Sequence, residues 1–243
     1  MRAEPARAID AVIRLVTFDL DNTLWSVDVV IGRAERRMRD WLRPRVPEYR
    51  RLAKADHAAL RDGVIAANPG IVHDISLLRE RVLAETIEHC GYPRSRAAEL
   101  AAGAFAEFLD WRHRIDFFAG ALDVLETLSG SYTLASLTNG NADFVRLGLD
   151  RYFSFGYCAA DVGASKPHTA MFERALAHAG VPAHEAVHIG DHLVDDVEGA
   201  SAAGMATVWV NLVGSDATSG ATATVTCLED LPATVADLGA ARS

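Results

Sequence analysis

The sequence has few cysteines, and no motif pairs them. Cys90, Cys158 and Cys227 lie far apart among 243 residues, and no CxxC pattern occurs. A disulfide framework or a zinc knuckle needs paired or closely spaced thiols. The sequence therefore favours neither, and we expect the three side chains to pack as small buried hydrophobic residues.

A long apolar run and an excess of positive charge are missing as well. No hydrophobic stretch approaches the roughly 18 residues of a membrane span, and the N-terminus MRAEPARAIDAVIR is charged where a signal peptide is apolar. The 33 acidic residues outnumber the 24 basic ones, giving a formal net charge of −9. Binding to a phosphate backbone needs clustered cations. We therefore expect a cytoplasmic protein that binds neither membranes nor nucleic acid.

What the sequence does contain is an alternation of short apolar runs with helical patterns. Helical periodicity is seen in Ala121–Leu128 and Met171–Ala179. Alternating strands and helices are typical of a parallel sheet with helices on both faces. The strand candidates are Ile13–Phe18, Tyr132–Thr138, Phe155–Ala159, Ala186–Ile189, Thr207–Asn211 and Thr222–Cys227.

One long segment, residues 27–116, interrupts this alternation because it shows only helical periodicity. In HDISLLRERVLAETIEHCG the apolar residues recur every three or four positions up to Gly91, and Arg96–Arg114 repeats the pattern. A chain of this length is sufficient for one α/β domain that carries a smaller inserted one. We therefore predict an α/β core formed by residues 1–26 and 117–243, and an all-helical insertion formed by residues 27–116.

Two carboxylates follow the first predicted strand. Asp19 and Asp21 are two positions apart, so in an extended chain they share one face. The carboxyl ends of parallel strands are where open α/β sheets bind ligands. A cation would relieve the repulsion between the two acids, and a set of oxygen ligands suits Mg²⁺. The pair therefore predicts a magnesium site at the end of this strand.

Later strand ends supply groups that can bind a phosphoryl group. Thr138 and Asn139 precede a glycine that allows backbone N–H groups to turn toward an anion, and Lys166 adds a compact cation. Asp191 and Asp196 complete an acidic pocket after a fourth strand. Such a set of groups predicts phosphoryl transfer.

A free carboxylate in this pocket can attack phosphorus to form an aspartyl phosphate, and a second can act as general acid and base. Asp19 is the better candidate for the nucleophile because it lies nearer the fixed strand.

These residues lie in four motifs along the chain: DLDNTL from Asp19, TNG from Thr138, KP from Lys166, and GD at Asp191 followed by Asp196. The four motifs, in this order, resemble those of the haloacid dehalogenase-like hydrolases. The resemblance implies a Rossmann-like parallel sheet core with an inserted all-helical cap domain. It implies that Asp19 is the nucleophile and a Mg²⁺ ligand, and that Asp21 is the acid and base and gives the metal its backbone carbonyl. It further implies that Thr138, Asn139 and Lys166 bind the phosphate. Asp191 would ligate Mg²⁺, and Asp196 would support the metal site.

A narrower similarity concerns the bacterial phosphatases of the flavin pathway. The segments SKP, TNGNA, WRHRID and the cap stretch ANPGIVHD are similar to the phosphatases that act on FMN and on the phosphorylated pyrimidine intermediate of riboflavin synthesis. Within WRHRID, Arg112 and Arg114 are candidates for substrate binding. The same arginines also fit a simpler role, since cations are favourable at the C-terminus of a helix.

Three other functions fit parts of this set of motifs. A dehalogenase of the same fold would also use Asp19 but no metal, and Asp21 argues against it because an acid at this position serves to protonate a leaving group. A receiver module would place its acceptor aspartate on a later strand and would lack the helical insertion. A silent phosphate-binding protein is disfavoured because no motif is missing. We expect an enzyme that acts on a small phosphorylated metabolite, as a monomer or a homodimer.

Overall fold

The computed structural model describes residues 13–241. Residues 1–12 of the predicted core segment 1–26, which include most of the charged N-terminus discussed above, lie outside the described residues, as do residues 242 and 243.

Six parallel strands form one sheet, in the order β3-β2-β1-β4-β5-β6. The first strand therefore lies between β2 and β4. Strands β2 and β3 extend the sheet on one side of β1, and β4, β5 and β6 extend it on the other. A crevice opens where the strand order reverses in this way, at the carboxyl ends of the strands. The strands are β1 Leu15–Phe18, β2 Thr133–Thr138, β3 Phe153–Cys158, β4 Ala186–Gly190, β5 Ala206–Val210 and β6 Ala223–Val225.

Every predicted strand is present, with ends shifted by three residues or fewer, and residues 27–116 contain helices and no strand of the sheet. The predicted fold class, a Rossmann-like sheet with an inserted helical cap, is confirmed. The cap helices are α1 Val27–Leu42, α2 Lys54–Ala67, α3 Ile75–His89 and α4 Arg94–Arg112. The helices around the sheet are α5 Ala121–Ser129, α6 Ala159–Val162, α7 Ala170–Ala179, α8 Gly199–Ala202 and α9 Leu231–Ala240.

Alternation along β1 explains how the sheet is covered on both faces. Val16 and Phe18 pack with Leu125 of α5 and Val235 of α9, whereas Leu15 belongs to the opposite cluster, which α7 and α8 contribute to. Successive side chains of a strand point to opposite faces, so a strand that is apolar at nearly every position needs helices on both. The cap has a hydrophobic cluster of its own, formed only by residues of the insertion.

The three cysteines are half-buried rather than buried, which differs from the expectation above. Cys90 directly follows the last residue of α3, and Cys158 is the last residue of β3, so both stand at the ends of secondary-structure elements. None of the helices between residues 13 and 241 has both the length and the apolar character of a membrane span.

A close helix contact in the cap provides a test of this packing. A Cβ atom at Gly103 of α4 would lie 2.6 Å from the ring of Trp41 on α1. We expect Gly103→Ala to lower the free energy of unfolding by about 1–2 kcal/mol, because the strain of overpacking exceeds the gain in helix propensity. Urea unfolding followed by circular dichroism measures this change.

Gly63→Ala on α2 is the matched control, since no atom lies within 4 Å of a Cβ at that position. It should be neutral or stabilise the protein by up to about 1 kcal/mol. Equal effects of the two substitutions would contradict the packing of α1 against α4.

Candidate active site

The ammonium group of Lys166 lies at the centre of the candidate site. Its Nζ donates to Asp19 Oδ1 at 2.8 Å, to Asp196 Oδ1 at 2.6 Å and to the carbonyl oxygen of Leu137 at 2.8 Å. Lys166 is 3% exposed, and both carboxylates are buried. Asp196 also contacts His188 Nε2 at 3.1 Å and accepts from the backbone N–H of His192 at 2.9 Å. All of the buried charges in this group are therefore paired.

Burial and mutual charge interactions shift the pKa values of Lys166, Asp196 and Asp19. Burial by itself would lower the pKa of Lys166, but the charges of Asp19 and Asp196 outweigh it, so the pKa of Lys166 is raised and the ammonium is kept. Burial would raise the pKa of Asp196, but Lys166 and His188 outweigh it and the pKa falls. For Asp19 burial dominates over Lys166, and its pKa lies well above the usual value.

Asp191 completes the acidic cluster from the loop after β4. One oxygen each from Asp19, Asp191 and Asp196 lie within 4.8 Å of one another. Thr23 Oγ1 donates weakly to Asp19 and Asp191, at 3.4 and 3.3 Å. Burial, followed by the charge of Asp196, raises the pKa of Asp191 to about 6. A set of carboxylate oxygens that carries surplus negative charge is the donor chemistry that Mg²⁺ prefers, so the residues present fit this ion.

Asp21 lies in the loop after β1 and is bound by the cap. Nη2 of Arg112, at the C-terminal end of α4, donates to Asp21 Oδ1 and Oδ2 at 2.8 and 2.6 Å, and Trp25 Nε1 donates to Oδ1 at 2.8 Å. Nε of Arg112 donates to Oδ1 of Asn141 at 3.1 Å. Arg112 is 1% exposed. The cap thus contributes a buried cation to the same site as the core.

The loop after β2 lies against these carboxylates. The side-chain amide of Asn139 bridges to the next motif: Nδ2 donates to the carbonyl oxygen of Lys166 at 2.9 Å, and Oδ1 accepts from the Lys166 N–H at 2.7 Å. The N–H of Gly140, which we expected to turn toward an anion, donates to Thr138 Oγ1 at 2.9 Å. A Cβ at Gly140 would lie 2.6 Å from Asp21 Oδ2, so only glycine allows the loop to approach Asp21 this closely.

A cavity of about 180 Å³ opens among these groups. The structure brings all the predicted core residues to it, and also Asp195 beside them. Its lining consists of Asp19, Asp21, Asn22, Thr138, Asn139, Gly140, Lys166, Asp191, His192, Asp195 and Asp196.

Two further contacts join the cap to loops that carry the site. His73 Nδ1 lies 2.9 Å from Oγ of Ser165, the residue before Lys166. Asn141 Nδ2 donates to Oγ of Ser76, at the start of α3, at 3.1 Å. Together with Arg112, these residues close the cap over the carboxyl ends of β1, β2 and β4.

Neither of the two predicted arginines, Arg112 and Arg114, lines the cavity. Arg112 contacts Asp21, which does line it, whereas Arg114 lies at the surface. The helix ends two residues before it, and its exposed guanidinium stacks on the Trp111 ring at 4.1 Å, opposite Arg37 at 4.2 Å. Its carbonyl oxygen accepts from Arg33. This placement matches the simpler interpretation, a surface cation at a helix end.

Several side chains of the site are not among the residues predicted from the sequence, namely Thr23, Asn141, His73 and Ser76. Asn141 had a signal, since it directly follows the phosphate-binding motif Thr-Asn-Gly. His73 lies within the stretch ANPGIVHD, whose similarity to the flavin-pathway phosphatases is noted above, whereas Ser76 had no signal. The contact of either residue with the core is not visible in local periodicity.

The model of one protein family, haloacid dehalogenase-like hydrolase, matches residues 13–204. The chain belongs to this family. The match contains every motif that meets at the cavity.

The similar proteins are named either as phosphatases or as a dehalogenase. The 5-amino-6-(5-phospho-D-ribitylamino)uracil phosphatase YigB of Escherichia coli (strain K12) is 35% identical over 204 residues, which are 84% of this chain and 86% of YigB. The phosphoserine phosphatase of Thermus thermophilus is 38% identical over 139 residues, 55% of this chain and 54% of that protein. A solved structure described as a 2-haloacid dehalogenase from Pseudomonas syringae pv. Tomato DC3000 has a TM-score of 0.89 and 42% identity, and covers 93% of this chain and 99% of the other.

The predicted enzyme class is confirmed by the family and by these curated relatives: the chain is a haloacid dehalogenase-like phosphatase, a hydrolase of phosphoric monoesters.

The raised pKa of Asp191 predicts how the metal-free protein responds to pH. A folded-state pKa of about 6, above the unfolded value of 3.8, means that stability is lost as pH rises from about 4 through 6. Asp191→Asn removes this penalty. In EDTA, we expect the melting temperature of the variant to exceed that of the wild type by roughly 2–4 °C more at pH 7.5 than at pH 5, after allowance for partial exposure.

Adding Mg²⁺ at pH 7.5 should then raise the melting temperature of the wild type and leave that of Asp191→Asn nearly unchanged. A difference between the two proteins that is the same at both pH values, or an equal response to Mg²⁺, would contradict this assignment.

Proposed function

We propose that the protein is a Mg²⁺-dependent phosphomonoesterase that acts through an aspartyl-phosphate intermediate on a small phosphorylated metabolite. The observation that carries the proposal is the contact of Lys166 with Asp19 beside two further acids, with a second carboxylate, Asp21, held at the same cavity. Asp19 is the nucleophile and Asp21 the general acid and base. Thr138, Asn139 and Lys166 bind the phosphoryl group.

The first half of the reaction transfers the phosphoryl group to Asp19. A carboxylate oxygen of Asp19 attacks phosphorus, the bond between phosphorus and the ester oxygen breaks, and Asp21 gives its proton to the departing oxygen. In the second half, water attacks the aspartyl phosphate, Asp21 takes up a proton from it, and inorganic phosphate leaves Asp19 free. The paired contacts of Arg112 and Trp25 hold the Asp21 carboxyl in place throughout.

The metal site in this proposal consists of Asp19, Asp191, Asp196 and the backbone carbonyl of Asp21. Mg²⁺ would supply charge neutralisation and orientation for the phosphoryl oxygens. Of the three acids, Asp19 and Asp196 are paired with Lys166, whereas Asp191 accepts a weak hydrogen bond from Thr23. Asp196 already binds Lys166, His188 and the His192 N–H, so it fits a supporting role behind the metal.

FMN and the phosphorylated pyrimidine intermediate of riboflavin synthesis are the substrates that we propose first. YigB, which covers most of this chain, is named for the second compound. The segments SKP, TNGNA, WRHRID and ANPGIVHD, which are similar to those of the FMN and riboflavin-pathway phosphatases, also favour these two substrates. The predicted division into core (1–26, 117–243) and cap (27–116), a cytoplasmic location, and a monomer or homodimer complete the proposal.

The dehalogenase name of the similar solved structure describes that protein, but it requires an explicit test here. Both chemistries use an aspartate nucleophile, and they differ in the leaving group. A departing halide needs no proton, whereas an ester oxygen does. Asp21, held at the cavity by Arg112, is placed to supply that proton and therefore favours the phosphatase.

Replacement of the nucleophile tests the proposal directly. We expect the wild type to release phosphate from FMN, sugar phosphates or nucleoside monophosphates with Mg²⁺ and not with EDTA, and to release no chloride from 2-chloropropionate. Asp19→Asn should lower kcat by about 10³-fold or more, because no covalent intermediate can form. Phosphate and halide assays under identical conditions measure both activities.

Asp123→Asn, at an exposed carboxylate of α5 outside the cavity, is the control and should keep full activity. An Asp19→Asn variant with unimpaired turnover, or halide release without metal in the absence of phosphatase activity, would refute the proposal.

A further inference from the structure

The N-terminal part of the cap carries a concentration of positive charge that the proposed function does not use. Residues 33–54 contain nine of the 24 lysines and arginines of the chain but only three acidic residues. The chain as a whole has the opposite balance, with a net charge of −9. Like charges that lie close together repel one another, so such a cluster lowers stability unless other charges balance it.

Part of this cluster surrounds a cavity of about 500 Å³, which we call the cap cavity. Residues of α1, of the short 3₁₀ helix Pro47–Arg51 and of the first turn of α2 line it, and none of them lines the cavity around Lys166. A volume between about 300 and 1,000 Å³ is typical of sites for small molecules. The cations that line the cap cavity are Arg36, Arg39, Arg43, Arg50 and Lys54.

These five cations have few partners in the protein. Within residues 13–241, the side chains of Arg36, Arg50 and Lys54 form no hydrogen bond and no ion pair. The other two contact acids of their own helix, and these exposed pairs contribute little to stability. The distances are 3.2 Å from Arg39 to Glu35 and 3.7 Å from Arg43 to Asp40.

Other arginines of the same segment, which do not line the cap cavity, are engaged by the protein. One forms an ion pair, and two stack on aromatic rings. The pairs are Arg33 with Asp116 at 3.3 Å, Arg37 with Trp111 at 4.2 Å and Arg45 with Trp41 at 4.0 Å. The cavity is therefore where three cations that have no partner in the protein come together.

Two aromatic side chains add uncharged polar groups and a flat surface to the cap cavity. The rings of Tyr49 and His57 lie with their centroids 5.1 Å apart, and neither side chain forms a hydrogen bond within residues 13–241. Their polar atoms are in contact with solvent, because the buried polar side-chain atoms without a partner in this range belong to Arg33 and Arg112. A ligand that enters the cavity can therefore reach the Tyr49 hydroxyl.

A more apolar cavity of about 600 Å³ adjoins the cap cavity. The two share Arg39, Tyr49 and His57 as lining residues. An organic group attached to an anion would meet both aromatic and aliphatic surface there. The aliphatic residues of the second cavity include Met38, Leu78 and Val82.

We propose that the cap cavity is a second ligand site, which binds a small anion with several phosphate groups, such as a nucleoside triphosphate or a short chain of inorganic phosphates. Guanidinium groups match the geometry of phosphate oxygens. Five cations and a single acid, Asp40, line the cavity, so a ligand with about four negative charges would balance it. Because this site shares no residue with the active site, its failure would leave the proposed function intact.

Calorimetric titration of the full-length protein with inorganic triphosphate tests the site. EDTA is present so that no metal can hold the ligand at the active site. We expect saturable binding of one triphosphate per chain in the micromolar range, weakened about 10-fold or more when NaCl is raised from about 50 mM to about 500 mM. Orthophosphate carries fewer charges and should bind about 10-fold more weakly or less.

Paired substitutions test the residues. Arg36→Gln with Arg50→Gln removes two cations that have no partner in the protein, and should weaken triphosphate binding by about 30-fold or more. The matched control, Arg81→Gln with Arg94→Gln, removes the same charge from exposed arginines of α3 and α4 that line neither cap cavity. It should change the dissociation constant by about 2-fold or less, because solvent screens charges outside the site.

A parallel titration with ATP identifies the source of the phosphates. Tighter binding of ATP than of inorganic triphosphate, with the gain lost in Tyr49→Ala, supports a nucleotide, and equal affinities support the phosphate chain alone. Absence of saturable triphosphate binding at low salt would overturn the site. An equal loss in the two double variants would also overturn it, because the attraction is then to the surface as a whole. So would a single-stranded RNA that binds the same arginines more tightly than triphosphate, since the surface then serves nucleic acid.

Discussion

The buried ammonium group of Lys166 is the interaction on which the rest of the site depends. It lies between Asp19 and Asp196, which are 177 positions apart in the sequence, and it is one of only two lysines in the chain. Without it, Asp19, Asp191 and Asp196 would form an uncompensated acidic cluster. Removal of one partner from a buried pair typically costs about 3–5 kcal/mol, because the remaining charge stays buried. The lysine therefore contributes to folding, in addition to the phosphate binding that we propose for it.

The sheet topology determines that these groups meet. Phe18 of β1 aligns with Ser136 of β2 and Ile189 of β4, so the residues that follow the three strands leave the sheet at one level. Asp19 continues this alignment, since its N–H donates to the carbonyl oxygen of Ile189. A parallel sheet with a central first strand thus converts distant sequence motifs into neighbours, and the order of the motifs matters less than the order of the strands.

The parallel register of the sheet explains which parts of the molecule could be predicted from the sequence. Strand ends are visible as apolar runs followed by polar residues, and parallel register then brings the polar residues together. The contacts of the cap follow no such rule. Arg112 and Arg114 look equivalent in WRHRID, yet one is buried against Asp21 and the other stacks on Trp111 at the surface. Only the end of α4 and the docking of the cap separate them, and neither is encoded in local periodicity.

The pairing of Arg112 with Asp21 joins two requirements that are often separate in an enzyme. The core supplies the groups for the phosphoryl chemistry, which are common to any ester, while the identity of the leaving group can be sensed only beyond the ester oxygen. Arg112 of the cap contacts Asp21, to which we assign the proton transfer, and so lies on the side of the site from which the leaving group departs in the proposed reaction. Its charge is balanced by Asp21, so it can be buried. Specificity can therefore change in the cap without disturbing the pairing of Lys166 that supports the core.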